Sequence, residues 1–306
     1  DELRQQMLRI PEEDEEAQME ALRYFKRAHV LRVAASDIMG TRQLMKVSDY
    51  LTFIAEAILE HVLQMAWKKM TDKHGRPAKA DGGPCDPSFA IVGYGKMGGI
   101  ELGYGSDLDL VFLHDAASQG YTDGNKSIDN GVFFTRLGQR IIHILNTMTS
   151  SGQLYEVDMR LRPSGNSGLL VSSLKAFRDY QLKEAWTWEK QALVRARVVA
   201  GDPNLQAEFE AVRAEIISAQ RDLPKLKEEV IEMRHKMRDH LGSKNTDKTE
   251  KPVFHLKQDR GGIVDIEFMT QYNVLANAHV HPSLTEFTDN IRILEGVEAC
   301  GLLPAE

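Results

Sequence analysis

Hydrophobic residues recur at helical spacing through the first 70 residues of the chain, a region with almost no glycine. A break falls at Met39-Gly40, and a cap signal at Ser48-Asp49 opens a second periodic run. That run contains Leu51, Ile54, Ile58, Val62, Met65 and Ala66. The pattern predicts an N-terminal segment, 1–70, of amphipathic helices that pack through their apolar faces.

The pattern changes after residues 71–88, a stretch rich in glycine, proline, aspartate and lysine that is typical of a loop. Short apolar runs at 89–94 and 108–113 predict strands, and alternation at 155–162 predicts a third strand. Between them, one helical face runs through 131–148. This order of elements predicts a small mixed sheet.

Helical patterns return from Ser173 onward, interrupted at 201–203 and by a polar loop at 242–252. The chain is therefore expected to have an α+β fold. A mixed-sheet core at 89–200 is flanked by the N-terminal helices and by a C-terminal helical bundle at 201–306.

Composition excludes several classes of protein. Of the 306 residues, 42% are hydrophobic and 27% are charged, which excludes wholesale disorder. No apolar run approaches the roughly 20 residues of a membrane helix, and a net charge of −7 argues against a nucleic-acid partner. With only Cys85 and Cys300, a cytoplasmic protein is expected. Because the chain starts at Asp1 without Met, we also expect a piece of a longer protein.

A glycine-rich segment follows the first predicted strand. Gly93-x-Gly95-x-x-Gly98 matches a dinucleotide fingerprint, but the next strand begins too soon for a crossover helix. It is not a Walker loop either, since no Ser or Thr follows Lys96. We interpret it as a backbone cradle for a polyphosphate, with Lys96 supplying charge. A plain glycine turn is the alternative.

Two aspartates begin the second predicted strand. Asp107 and Asp109 lie two positions apart and therefore share a face, where their charges repel unless a divalent cation lies between them. Carboxylates in this arrangement suit Mg²⁺ bound with phosphates, and Ser106 can donate to a phosphate oxygen. A solvated strand face is the alternative, although strands are depleted in Asp.

The third predicted strand carries charged residues on one face. In extended backbone, Glu156, Asp158, Arg160 and Arg162 all point the same way. Asp158 can complete a metal site or accept a proton, and the two arginines can hold phosphate oxygens. An exposed strand with weak ion pairs is the alternative.

Several other residues have weaker signals. Arg195 and Arg197 are expected at the surface or in contact with phosphate or a partner, with a helix favoured for their segment. Trp186 and Trp188 are expected in the core rather than stacked on a base.

Two further acids and a histidine pair lie near the end of the chain. Glu267 is expected to be structural, and for Asp265 a structural and an interface role both stay open. His279-x-His281 has no further ligands at zinc spacing.

Longer motifs carry a family resemblance. GGIELGYGSDLDLVF at 98–112 resembles the nucleotidyltransferase signature. Together with AIVGYGKMGG at 90–99, LYEVDMRLRPSG at 154–165, EAWTWEKQALVRARVV at 184–199 and GGIVDIEF at 261–268, it resembles the bacterial glutamine synthetase adenylyltransferases. That family has an AMP-adding and an AMP-removing half, and Tyr-Gly-Ser with Arg-Pro-Ser-Gly resembles the adding, C-terminal half.

The resemblance implies transfer of AMP from ATP to a tyrosine of glutamine synthetase, with release of pyrophosphate. It implies Mg²⁺ on Asp107, Asp109 and Asp158. Phosphate contacts are implied for Lys96, Gly98, Gly99, Ser106, Arg160 and Arg162. A PII signal protein and glutamine are implied as regulators of the full-length enzyme. The alternatives are the phosphorolytic AMP-removing half and a non-catalytic nucleotide-binding module.

Overall fold

The structure is a computed structural model that describes residues 2–243 and 253–303. The helices are α1 (Glu2–Met7), α2 (Glu15–Ile38), α3 (Leu44–His74), α4 (Gly95–Gly98), α5 (Asn130–Asn146), α6 (Leu174–Lys183), α7 (Thr187–Val194), α8 (Pro203–Ile217), α9 (Leu223–Leu241), α10 (Ile263–Asn277) and α11 (Asn290–Ala299). The strands are β1 (Phe89–Gly93), β2 (Leu108–His114), β3 (Val157–Asp158), β4 (Val171–Ser173) and β5 (Arg197–Gly201).

The described residues form two compact units. Unit 1 comprises Asp1–Tyr180 and Ala196–Glu210, and unit 2 comprises Gln181–Arg195 and Ala211–Glu306. Helices and a five-stranded mixed sheet confirm the α+β class. The four-part division of the chain read from composition stays a prediction, and most of its polar loop lies outside the described residues, at 244–252.

The sheet of unit 1 combines antiparallel and parallel pairing. Its main path runs β3-β2-β1-β5, and β4 also pairs with β2. Strand β1 is antiparallel to both β2 and β5, whereas β3 and β4 run parallel to β2. All five residues of β1 are buried, and the strand pairs with β2 and β5 along its two edges.

Helices α2, α3 and α5 pack with the sheet to form the core of unit 1. Helix α5 buries the face predicted by its 3.6-residue period, including Phe133, Leu137, Ile141 and Ile144. Asp129 caps its first turn, because its Oδ1 accepts hydrogen bonds from the backbone N–H groups of Gly131 and Val132.

Three predictions of local structure are wrong. Helix α3 begins at Leu44 without a side-chain cap, so the Ser48-Asp49 signal lies inside the helix. The third strand is only Val157–Asp158, because the chain then turns. Segment Arg197–Gly201, for which a helix was favoured, is strand β5, since its hydrogen bonds go to β1.

Unit 2 is built mainly from α7, α9, α10 and α11. Asp222 caps α9 and Asp289 caps α11, each through a side-chain oxygen. Arg213 is buried and donates hydrogen bonds to the carbonyls of Leu193, Val194 and Thr285, which ties three segments of the unit together.

Candidate active site

Three carboxylates meet at the edge where β2 and β3 begin to pair. Asp107 immediately precedes β2, Asp109 is its second residue, and Asp158 ends β3. Parallel pairing places Asp109 directly beside Asp158. One carboxylate oxygen from each of the three lies within 4.8 Å of the others. Asp107 is exposed and the other two are half-buried, so the cluster is open to solvent.

Arg160 interacts closely with the third carboxylate. Its backbone N–H donates to Asp158 Oδ1 at 2.8 Å and its Nε donates to Oδ2 at 2.7 Å. These hydrogen bonds hold the pKa of Asp158 below its ordinary value. Asp158 is therefore an ionised carboxylate suited to a cation and a weak acceptor for a proton.

The two arginines after β3 do not share the face that alternation predicted. A turn follows Asp158, and Arg162 Nη1 donates to the carbonyl of Met159 at 2.7 Å. Arg160 is highly exposed and bends back to Asp158. Glu156 is exposed, and its carbonyl accepts the Leu108 N–H at 2.9 Å.

The glycine-rich segment forms the single helical turn α4, Gly95–Gly98, which is called the glycine turn below. The Gly98 N–H donates to the carbonyl of Tyr94 at 3.0 Å, and the Gly99 N–H donates to that of Gly95 at 2.9 Å. Both amides are thus engaged inside the turn, so in this conformation they do not point to a phosphate. Lys96 is exposed on the turn. The predicted phosphate contacts of Lys96, Gly98 and Gly99 stay predictions.

Gly95 places the turn against the carboxylate cluster. Its φ of +52° lies in the left-handed region that favours glycine. A Cβ at this position would lie 2.8 Å from Asp109 Oδ2. The Tyr94 N–H also donates to the carbonyl of Asp109 at 2.9 Å. No side chain can be added at Gly95 without displacing the turn or Asp109.

Ser106 lies in the loop just before the aspartates. Its Oγ accepts the Gly103 N–H at 3.0 Å, which leaves its hydroxyl hydrogen to be donated to a phosphate oxygen. One residue of the same loop also reaches α2, because the Tyr104 hydroxyl donates to Asp37 Oδ2 at 2.8 Å.

The weaker candidates have structural partners. Arg195 is buried and forms an ion pair with Glu267 at 2.8 Å, so it is not a surface residue. Asp265 accepts hydrogen bonds from Arg234 Nε at 2.5 Å and from the Gly261 N–H at 2.6 Å. The structural interpretation therefore holds for Glu267 and accounts for Asp265.

The prediction that both tryptophans lie in the core is wrong. Trp186 is 72% exposed and Trp188 is 36% exposed, so neither belongs to the core. The sequence also missed Glu56 of α3, which forms an ion pair with Arg197 next to the glycine turn. Glu56 and Glu60 lie four residues apart on a largely apolar helix, and this pair of acids is the sequence signal that could have identified Glu56.

Comparison with known proteins identifies the family of this chain. The family model for glutamate-ammonia ligase adenylyltransferase matches residues 1–212. The chain is 64% identical over 312 residues to the bifunctional glutamine synthetase adenylyltransferase/adenylyl-removing enzyme of Pseudomonas aeruginosa. It is 62% identical over 306 residues to the protein of that name from Hahella chejuensis. Each match covers 100% of this chain and 32% of the relative. The chain spans about a third of the length of these curated relatives, and it belongs to the glutamate-ammonia ligase adenylyltransferase family.

Proposed function

We propose that this chain transfers AMP from ATP to a tyrosine hydroxyl of glutamine synthetase and releases pyrophosphate. The observation that carries the proposal is the meeting of Asp107, Asp109 and Asp158 beside a glycine turn. The names of the relatives, which are adenylyltransferases acting on glutamine synthetase, supply the acceptor.

The donor set of the cluster fits Mg²⁺. Carboxylate oxygens are the hard ligands that this ion prefers, and three of them lie within 4.8 Å of one another. Asp107, Asp109 and Asp158 would hold the ion together with phosphate oxygens of ATP. Bound there, Mg²⁺ would offset the charge of the triphosphate and of the departing pyrophosphate.

The reaction is an in-line displacement at the α-phosphorus. The tyrosine oxygen forms a bond to that phosphorus, the bond to the bridging oxygen of the β-phosphate breaks, and pyrophosphate leaves with the electron pair. The hydroxyl proton passes to Asp158 or to solvent. Because the Arg160 bonds lower the basicity of Asp158, transfer through Asp158 is favoured when Arg160 leaves it for a phosphate oxygen.

The cations and the loop hydroxyl complete the proposed ATP site. Arg160 is exposed and can exchange Asp158 for a phosphate oxygen, which is the contact proposed for it and for Arg162. Lys96 and the Ser106 hydroxyl are proposed to contact phosphates as well. Gly98 and Gly99 are proposed to let the phosphates approach the turn closely.

Two motifs favour the adding half over the phosphorolytic half. They are Tyr-Gly-Ser at 104–106 and Arg-Pro-Ser-Gly at 162–165. A cytoplasmic enzyme regulated by a PII protein and by glutamine in its full-length form is part of the same proposal. Within residues 2–243 and 253–303 no helix has the length and apolar character needed to cross a bilayer.

The test uses ATP labelled at the α-phosphate, Mg²⁺ and purified glutamine synthetase. The chain is expected to transfer label to the acceptor, and Asp107→Asn is expected to abolish most of this transfer. Equal labelling by the two proteins would refute the metal assignment.

A second reaction decides between the two halves. Adenylylated glutamine synthetase is incubated with the chain and inorganic phosphate, and release of ADP is measured. Release of ADP without forward transfer would replace the proposal by the AMP-removing reaction. Binding of ATP with neither reaction would indicate the non-catalytic module.

A further inference from the structure

Arg197 connects strand β5 to the glycine turn. Its Nε donates to the carbonyl of Gly98 at 3.0 Å, and its Nη2 donates to that of Met97 at 3.3 Å. The same Nη2 donates to the carboxylate of Glu56 on α3. One guanidinium group thus joins a strand, a helix and the turn of the candidate site, all within unit 1.

Helix α3 presents a row of polar groups to this part of the unit. Thr52, Glu56 and Glu60 are spaced four residues apart and therefore lie along one face. Thr52 Oγ1 accepts the N–H of Leu102 at 3.4 Å, just beyond the turn, and Glu60 Oε2 accepts the N–H of Gly201 at 3.2 Å, at the end of β5. Glu56 lies between them and orients Arg197. Through these contacts, helix α3 is connected both to the region of the turn and to β5.

The turn lies directly against a proposed metal ligand. Gly95 contacts Asp109 so closely that a Cβ would lie 2.8 Å from its Oδ2. The Tyr94 N–H also donates to the carbonyl of Asp109. A displacement of the turn therefore displaces Asp109 or opens space beside it.

An ordinary surface ion pair would not have this geometry. The side chains of Arg197 and Glu56 are only 23% and 24% exposed. The guanidinium also donates hydrogen bonds to two backbone carbonyls of the turn. A planar guanidinium reaches a carboxylate and two carbonyls at once, which the single ammonium group of lysine cannot reproduce.

We infer that Arg197, oriented by Glu56, is a positioning residue that holds the glycine turn against Asp109. The inference rests on the adenylyl transfer proposed above and adds residues outside the predicted ATP site. Arg197 acts through the turn and is not assigned a contact with substrate.

The test compares Arg197→Met, Arg197→Lys and Glu56→Gln with a matched ion pair. Arg140 of α5 pairs with Glu15 of α2 in the same unit, with side-chain exposures of 25% and 32%. Arg140→Met and Glu15→Gln therefore remove a comparable interaction at another place. Values of kcat and of KM for MgATP are measured for label transfer, together with the thermal midpoint of each variant.

Arg197→Met is expected to lower kcat about 100-fold, because misplacement of a catalytic group by about 1 Å has that effect. Arg197→Lys is expected to recover part of the loss, and Glu56→Gln to lower kcat by less than Arg197→Met does. Arg140→Met and Glu15→Gln are expected to stay within about threefold of wild type while they lower the thermal midpoint similarly. If Arg197→Met and Arg140→Met lower kcat equally, the inference is wrong. If Arg197→Met does not fold, as judged by circular dichroism, Arg197→Lys and Glu56→Gln decide.

A binding measurement separates this inference from the proposed function. Calorimetry with Mg²⁺ and an ATP analogue that has methylene between the α- and β-phosphorus needs no turnover. If wild type binds the analogue but transfers no AMP, the proposed function fails, and about tenfold weaker binding by Arg197→Met alone still supports the positioning role. If wild type transfers no AMP, equal binding of the analogue by wild type and Arg197→Met, or binding by neither protein, overturns the positioning role.

Discussion

Carboxylates and arginines are arranged differently in the two units of this protein. In unit 1, Asp107, Asp109 and Asp158 come within 4.8 Å of one another, and exposed Arg160 makes its ion pair with the last of them. In unit 2, Asp265 and Glu267 each pair with an arginine that is almost fully buried.

The difference separates the proposed metal site of unit 1 from the structural ion pairs of unit 2. Clustered carboxylates repel one another, so they weaken the fold unless a cation joins them. One-to-one pairs with buried arginines leave no net charge to attract a ligand, and removal of one partner leaves the other charge buried. We therefore expect substitutions in the cluster to affect catalysis and substitutions in the pairs to affect stability.

The largest expected effect is on catalysis in unit 1. Asp107→Asn is expected to lower kcat/KM for the proposed AMP transfer about 1000-fold, equivalent to about 4 kcal/mol, because the proposed Mg²⁺ site loses a charged ligand. Its thermal midpoint is expected to equal or exceed that of wild type, because one repulsive charge is gone. A lowered midpoint together with full activity would mean that the cluster is structural.

The next effect is on stability in unit 2. Arg234→Met is expected to lower the free energy of unfolding by about 3 kcal/mol, because it leaves Asp265 without its buried partner. Lys236→Met, two residues along α9, removes an exposed ion pair with Glu232 and is expected to leave the free energy of unfolding nearly unchanged. Denaturant unfolding compares the two, and equal effects would show that the buried pair contributes no more than the exposed one.

A third prediction concerns the stability of unit 1 at acid pH. His114 is buried against Phe134, with ring centroids 4.4 Å apart, and burial lowers its pKa to about 4. The unfolded chain, with a histidine pKa of about 6.5, takes up a proton that the folded chain does not. Stability is therefore lost as pH falls from about 6.5 toward 4, by about 2 kcal/mol between pH 7 and pH 5.

His114→Asn supplies the control for this pH dependence. Asparagine does not titrate, and its side-chain oxygen can replace Nδ1 as the acceptor of the Ala116 N–H. The difference in unfolding free energy between pH 7 and pH 5 is expected to shrink by about 2 kcal/mol in the variant. An unchanged difference would assign the acid sensitivity to other groups.

The smallest expected effect is at the surface of unit 2. Trp186→Ala is expected to change the unfolding free energy by less than about 0.5 kcal/mol, because the side chain is 72% exposed. Leu226→Ala in the same unit is the buried comparison, with an expected loss of about 2 to 3 kcal/mol. A large loss for Trp186→Ala would restore the core assignment that the sequence favoured.

Elements with a clear local pattern were predictable from the sequence. The apolar runs predicted β1 and β2 to within a residue, and the helical period predicted α5 and its buried face. Strand β5 escaped prediction because it follows helix α7 closely, and its extended backbone is stabilised by pairing with β1, far away in the chain. The third strand was overestimated because alternation of side-chain types continued into a turn.

The candidate site was likewise only partly predictable from the sequence. A period of two along the chain was enough to put Asp107 and Asp109 on one face, because that relation is local. Proximity of Asp158 to Asp109 depends on the parallel register of β3 against β2, which packing of the core determines across a sequence separation of 49 residues. Its ion pair with Arg160 depends on the turn that ends β3.

By itself, then, the sequence determined the elements with strong periodicity, the Asp-x-Asp face and the family. The tertiary structure alone decided which carboxylates cluster, that Arg197 and Glu56 hold the glycine turn, and that Arg195 and Arg234 are buried partners of Glu267 and Asp265. The physical reason is the distance along the chain over which each kind of interaction acts. Backbone periodicity acts between residues a few positions apart, whereas pairing of charges and burial depend on how distant segments pack.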